Sequence, residues 1–287
     1  MTTVTPQRSA LYVPASNQRA IDKVAGIDAD WVIFDLEDSV SVESKDAARE
    51  ALKVAFQSRE FGRSRAAIRC NSAASVDFPA DIETIATCCP DAVLLPKVSS
   101  AADVRLYASH ADALAAVTES WFMIETVSGV TKLGEIIESA ADMHCALSTL
   151  VVGHNDLASE SGVSLDHDRR FLIPWLMQIV LHARQAELQV LDSVWNNYRD
   201  LQGFENEALQ GKQMGFDGKT VIHPSQVEPA TRLFSPSPEE VIRARLIIDA
   251  FTQPENAQSN VLPINGEMVE RLHLHQAQRL LHKAGLA

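Results

Sequence analysis

Eight short apolar runs recur along most of the chain, and all but the first carry a charged or polar residue at or next to their end: SALYVPA, WVIFDLED, AAIRCN, AVLLPK, WFMIET, STLVVGHND, VLDSVWN and TVIHP. Runs of this length bounded by turn residues read as buried strands. Between them lie segments of helical period or composition: NQRAIDKVAGI, SKDAAREALKVAFQS, FPADIETIATCC, SAADVRLYASHADALAAV, GVTKLGEIIESAA, RRFLIPWLMQIVLHARQAE and GFENEALQGKQMG. Strand and helix alternating at this spacing predict βαβ units and a parallel sheet, and eight of them predict a (β/α)8 TIM barrel over residues 1–252. AGIDADWVIFD, CCPDAVLLPK and MGFDGKTVIHP each set Gly or Pro and an aspartate just before a strand, as expected of the short turns at the barrel's structural end.

The pattern changes after the eighth run. Ser237, Pro238 and Glu240 form a capping box with proline at the first helical position, predicting a helix that completes the barrel. Asn265-Gly266 between two apolar stretches predicts a hairpin, and a helix of apolar period follows. Residues 253–287 are therefore expected to form a C-terminal lid extension, too small to fold alone, packing on the barrel or on a neighbouring subunit.

In a parallel barrel the C-terminal ends of all strands meet on one face, where the active site of this architecture sits. That face should gather Asp35, Glu37, Asp38, Arg69, Asn71, Lys97, Glu125, Asn155, Asp156, Asn196 and His223. Glu125 and Asp156 end adjacent strands, and two such carboxylates with open positions suit Mg²⁺, for which Mn²⁺ could substitute. The alternative is that Glu125 caps the next helix or pairs with Lys97. A buried Arg69 needs an anionic partner, either a substrate carboxylate or enolate, or a salt bridge to Asp35, Glu37 or Glu125. Asp35 and Glu37 share one side of their strand, so at least one is expected to orient Arg69 or a metal-bound water. Lys97 among carboxylates should have a raised pKa, which favours an electrostatic role over a Schiff base. His223 and His154 are candidates for a general base or for structural hydrogen bonding.

Composition narrows the partners. The 287 residues are 46% hydrophobic and 22% charged, ordinary for a globular protein, and the formal net charge of −13 argues against nucleic acid or an anionic membrane surface. The N-terminus lacks the apolar core of a secretory signal, and no apolar run approaches the roughly 18 residues of a membrane span, so a cytoplasmic protein is expected. Cys70, Cys88, Cys89 and Cys145 have neither zinc-site spacing nor disulfide density, and are expected as reduced thiols.

The stretches RSALYVPAS, ADWVIFDLEDSV, KDAARE, IRCN, DAVLLPKV, MIET, VVGHNDLA and GFDGKTVIHPSQV, from residue 8 onward, closely resemble the citrate lyase β-subunit-like proteins of the HpcH/HpaI aldolase and citrate lyase superfamily. That group includes malyl-CoA, β-methylmalyl-CoA and citramalyl-CoA lyases. The resemblance implies Mg²⁺ on Glu125 and Asp156, Arg69 on the reacting acid or thioester enolate, and trimers or hexamers in which the C-terminal segment covers a neighbouring site. It also offers Lys45 and Arg49 for the CoA phosphates, the alternative being a solvated helix face. Asn71, Asp35 and Lys97 are expected with Arg69 around the substrate, and Glu37 as a catalytic carboxylate. Two positions depart from the family pattern: Asn155 stands where many members have glutamate, and Glu270 where many have the lid aspartate that moves a proton. The implied activity is Mg²⁺-dependent carbon–carbon cleavage or formation of a 3-hydroxy-dicarboxylic acyl-CoA. The alternatives are a thioesterase on the same substrates, a subunit acting on a citryl carrier protein, or a CoA-free aldolase acting on a short oxo acid.

Overall fold

A computed structural model describes residues 6–165, 168–256, 258–283 and 286. Eight parallel strands close into a barrel: β1 (Ser9–Pro14), β2 (Trp31–Asp35), β3 (Arg65–Arg69), β4 (Ala92–Leu95), β5 (Glu119–Ile124), β6 (Leu147–Val152), β7 (Gln189–Asp192) and β8 (Gly218–Val221). Each pairs with its neighbour in sequence, and β8 returns to β1 with Ala10 opposite Thr220. At that seam a Cβ on Gly218 would run into the Gln7 carbonyl, so glycine lets the last strand close on the first.

Alternation along the strands divides two cores. Inward residues, including Trp31, Ile33, Ala67, Leu94, Trp121, Met123, Val151 and Leu191, fill the barrel as an apolar plug. Trp31 and Trp121 anchor it with ring centroids 4.4 Å apart. Outward residues such as Val32, Phe34, Ile68 and Val93 pack under the surrounding helices. Because the plug fills the barrel below, its interior leaves room for a ligand at the C-terminal mouth.

The opposite end is held by the aspartates that precede strands. Asp30 accepts the Arg8 N–H, Asp91 the Ala66 N–H and Asp217 the Val190 N–H, each at 2.9 Å, so each carboxylate satisfies a donor at the start of a neighbouring strand.

The C-terminal region corrects one boundary. The helix after β8 that packs on β1 and β8 is Val227–Phe234, whereas the capped helix Pro238–Thr252 does not complete the barrel. Its Ala244, Ile247 and Phe251 instead face Leu262, Val269, Ala277 and Leu281 in a separate small core. That core joins the helix to the antiparallel hairpin of β9 (Val261–Ile264) and β10 (Glu267–Glu270) and to the helix Arg271–Lys283. The hairpin turns through Asn265 and Gly266, both at positive φ, as the sequence pair demands. The four cysteines are free thiols, and among the described residues no helix is long and apolar enough to cross a membrane.

Candidate active site

The mouth encloses a cavity of about 360 Å³ lined by residues of the ends of β1, β2, β3, β5 and β6 and by the loops after β6, β7 and β8. Arg69 is its centre. Its Nε and Nη2 donate to the two Asp35 oxygens at 2.6 and 2.7 Å, and Nη1 lies 2.9 Å from Glu37 Oε2. Asp35 also accepts the backbone N–H groups of Glu37 and Ser39, so its lone pairs are committed. Burial would raise its pKa, but Arg69 and these donors hold it below the ordinary range. Asp35 therefore orients the guanidinium from the cavity wall, and breaking such a buried pair costs about 3–5 kcal/mol.

Lys97 lies across from this pair. Its Nζ reaches Glu37 Oε1 at 2.5 Å and Asp38 at 3.2 Å. Burial opposes its charge, yet Glu37 and Asp38 raise its pKa, which keeps an ammonium and agrees with the electrostatic role. Burial also raises Glu37, despite both cations beside it. The Lys97 backbone takes a positive φ of 55°, and that turn aims its N–H at Glu125 Oε1, 2.8 Å away.

Glu125 is 2% exposed, and the tight approach of β6 is possible because a Cβ on Gly153 would collide with its Oε2 and Cβ. Burial, then Glu37, lifts its pKa to about 8, with Asp156 adding to the effect. Asp156 sits in the first turn of the helix His154–Ser161, half exposed, with Lys97 Nζ 3.9 Å away. These two carboxylates fit a hard dication. A buried acid with its ionisation suppressed by burial and by like charges gains most from an added positive ion. Among the described residues no set of three or more His, Cys, Asp or Glu side chains is grouped to hold a metal, so water or substrate oxygens would complete the sphere.

The remaining expected residues divide. Asn71 is behind the mouth, where it accepts from Lys45 Nζ and donates to Asp81 and to the Leu36 carbonyl. Lys45 also donates to the Leu36 and Glu37 carbonyls, and Arg49 is spent on Asp46, Asp77 and Asp81. Both cations are buried, so neither a CoA-binding rim nor a solvated helix face describes them; Lys45 braces the loop carrying Glu37, and Arg49 ties its helix to Asp77 and Asp81. Asn155 and Asn196 exchange two amide hydrogen bonds over the cavity edge, so the position that departs from the family pattern ties the β6 and β7 loops together. His223 is outside the lining, its Nδ1 accepting from the Ser225 N–H and its ring stacked on Tyr198. His154 lines the cavity, bonded through Nδ1 to Ser193 Oγ at 2.6 Å, and burial lowers its pKa to about 4. Glu270 is exposed on the hairpin, and among the described residues none of 253–287 lines the cavity.

Tyr12 and Met123 line the cavity and were not singled out in the sequence. The signal lies in strand parity: Tyr12 shares its face of β1 with Ala10 and Pro14, and Met123 shares its face with Glu125.

Fold and mouth together define an α/β barrel with a clamped arginine beside carboxylates that outnumber the cations facing them. The chain is a member of the HpcH/HpaI aldolase/citrate lyase family, whose model matches residues 8–224. It is 40% identical to (3S)-malyl-CoA thioesterase of Cereibacter sphaeroides over 97% of this chain and 95% of that one. To the citrate lyase subunit beta of Leuconostoc mesenteroides subsp. cremoris it is 29% identical, covering 97% and 93%. Among solved structures it resembles protein CitE from Mycobacterium tuberculosis in complex with magnesium, acetoacetate and coenzyme A. That likeness has a TM-score of 0.73 at 28% identity and covers 96% of this chain and 97% of that one.

Proposed function

We propose that the protein hydrolyses a short 3-hydroxy-dicarboxylic acyl-CoA, with malyl-CoA as the first candidate. The observation that carries the reading is Glu125, a carboxyl that burial and then Glu37 push up to about 8, set beside Asp156 and close to the Arg69 clamp. Mg²⁺ on Glu125 and Asp156, or Mn²⁺ in its place, would supply a Lewis acid and template for the hydroxyl and carboxylate of the acid. The protein's own groups do the rest. Arg69, fixed by Asp35 and Glu37, offers a preformed cation to an oxygen that gains charge. Lys97 restrains Glu37 and Asp38 and offsets part of the carboxylate charge. Water adds to the thioester carbon, and the resulting oxyanion collapses with loss of the CoA thiolate. One proton of that water ends on sulfur, leaving the free acid and CoA.

The sequence taken alone ranks carbon–carbon cleavage first, but the greater identity to a protein named as a thioesterase favours hydrolysis. Cleavage remains the second reading, favoured by the joint presence of Arg69, Glu125 and Asp156, because the same charges would stabilise a thioester enolate. Glu270 would then carry the proton to carbon, serving the mouth of a neighbouring subunit in a homotrimer or homohexamer, since it is remote from the cavity lining of its own chain.

The test is a Mg²⁺ assay with malyl-CoA, following products by mass. Malate with free CoA supports hydrolysis, glyoxylate with acetyl-CoA supports the lyase, and absence of both overturns the malyl-CoA assignment.

A further inference from the structure

The inward face of β1 rises through Ala10 to Tyr12 and ends at Pro14, beside the polar end of β2, where Pro14 is paired with Asp35. Tyr12 thus sits at a boundary. Its ring packs on the apolar plug, and the same residue borders the cavity. Above the ring lies the Arg69 guanidinium, with Cζ 5.0 Å from the centroid, which fixes the two side chains relative to one another.

The hydroxyl has a poor partner. It donates to Met123 Sδ at 3.8 Å, and Arg69 Nη1 meets the same sulfur at 3.8 Å. Two donors therefore converge on one thioether, which is a weak acceptor. A charged oxygen placed between them would replace a weak bond by strong, charge-assisted ones. Burial raises the phenol's pKa, Arg69 opposes it, and Glu125, Asp35 and Glu37 add to the rise, so the hydroxyl keeps its proton and stays a donor.

We propose that Tyr12 is a further catalytic residue, whose hydroxyl joins Arg69 Nη1 in gripping the substrate oxygen that becomes negative during the reaction. The inference rests on the thioester reading for the identity of that oxygen, but not on whether the C–S or the C–C bond breaks. Both routes place charge on the former carbonyl oxygen. A phenylalanine at this position would keep the packing on the plug and lose only the donor.

Tyr12→Phe in the full chain with Mg²⁺ and malyl-CoA should lower kcat by about 10²-fold, the scale of losing one oxyanion donor, while KM changes by less than about threefold. A kcat within about twofold of the parent, or a change confined to KM, would overturn the assignment. If the parent protein leaves malyl-CoA untouched, the substrate reading fails by itself, and calorimetric titration with oxalate and Mg²⁺ judges Tyr12 instead. Oxalate is a planar dianion that mimics an enolate; Tyr12→Phe should bind it about tenfold more weakly, about 1.4 kcal/mol. Equal affinity would reject the role.

Discussion

Two clusters of ions, one at the mouth and one between β7 and β8, have opposite designs. Under β7 and β8, Arg169 holds both oxygens of Asp192 at 2.6 and 2.9 Å, while Lys219 bonds Asp192 at 3.2 Å and Glu207 at 2.8 Å. All four are nearly or wholly buried, and two cations balance two carboxylates. At the mouth, Arg69 and Lys97 face Asp35, Glu37, Asp38, Glu125 and Asp156, an excess of carboxylates that no other side chain among the described residues is seen to offset. A balanced, sealed cluster has nothing left to bind and serves structure. An unbalanced, open one stores a demand for positive charge, which a dication with its anionic substrate can meet.

The contrast can be broken from either side. The largest effect is expected at the open cluster: Glu125→Gln or Asp156→Ala should reduce turnover by about a thousandfold or more, consistent with several kcal/mol of lost metal chemistry. Melting temperature should change little for Asp156→Ala, because that side chain is 41% exposed. Comparable melting together with intact turnover would show that the mouth does not use a dication there.

At the sealed cluster the expectation reverses. Arg169→Met strands Asp192 beside a single cation and should cost about 3–5 kcal/mol in denaturant unfolding, with turnover per folded molecule retained. Burial would raise the pKa of Asp192, but Arg169 and Lys219 hold it far below the usual value. A depressed carboxyl contributes stability that is present above the unfolded value of about 3.9 and lost as pH falls through the folded one. The stability gap between the parent and Asp192→Asn should therefore shrink as pH drops below about 4.

A smaller effect sharpens the comparison through pH. Glu125 has a raised pKa of about 8, so protons compete with the metal for its oxygens. Mg²⁺ affinity measured by calorimetry should strengthen from about pH 6 to about pH 8.5, with proton release that diminishes as Glu125 ionises. In metal-free protein the sign for stability is that of a raised group: the contribution is complete below the unfolded value near 4.3 and is lost as pH rises through about 8. A pH-independent affinity would contradict Glu125 as a ligand.

The smallest effect concerns the buried basic pair behind the mouth. Arg49→Gln should lower the melting temperature, because Asp77 and Asp81 lose their partner, yet change the KM for an acyl-CoA by less than about twofold. A tenfold rise in KM at unchanged stability would restore Arg49 to the CoA phosphates.

Much of this was legible in the chain before folding. Apolar runs of strand length spaced by helical segments determine a barrel, because side-chain parity and helix period are local properties that every segment carries by itself. The polar residue at each run's end followed from the same logic, and it placed Arg69, Glu125, Asp156 and Lys97 at one mouth. Asn265-Gly266 likewise specified its own turn. What tertiary structure decided was which charges are satisfied. Lys45 and Arg49 look free as letters, yet loop and helix packing bury them against Asn71, Asp77 and Asp81. Helix Pro238–Thr252 has the caps of any helix, but only the partners of Ala244 and Phe251 assign it to the small C-terminal core. Tyr12 was one apolar letter in a strand until Arg69 and Met123, far away in sequence, set a guanidinium over its ring and a thioether against its hydroxyl. Local chemistry dictates which elements form; the balance of charge and hydrogen bonds at a site depends on residues distant in sequence, which only the closed barrel brings together.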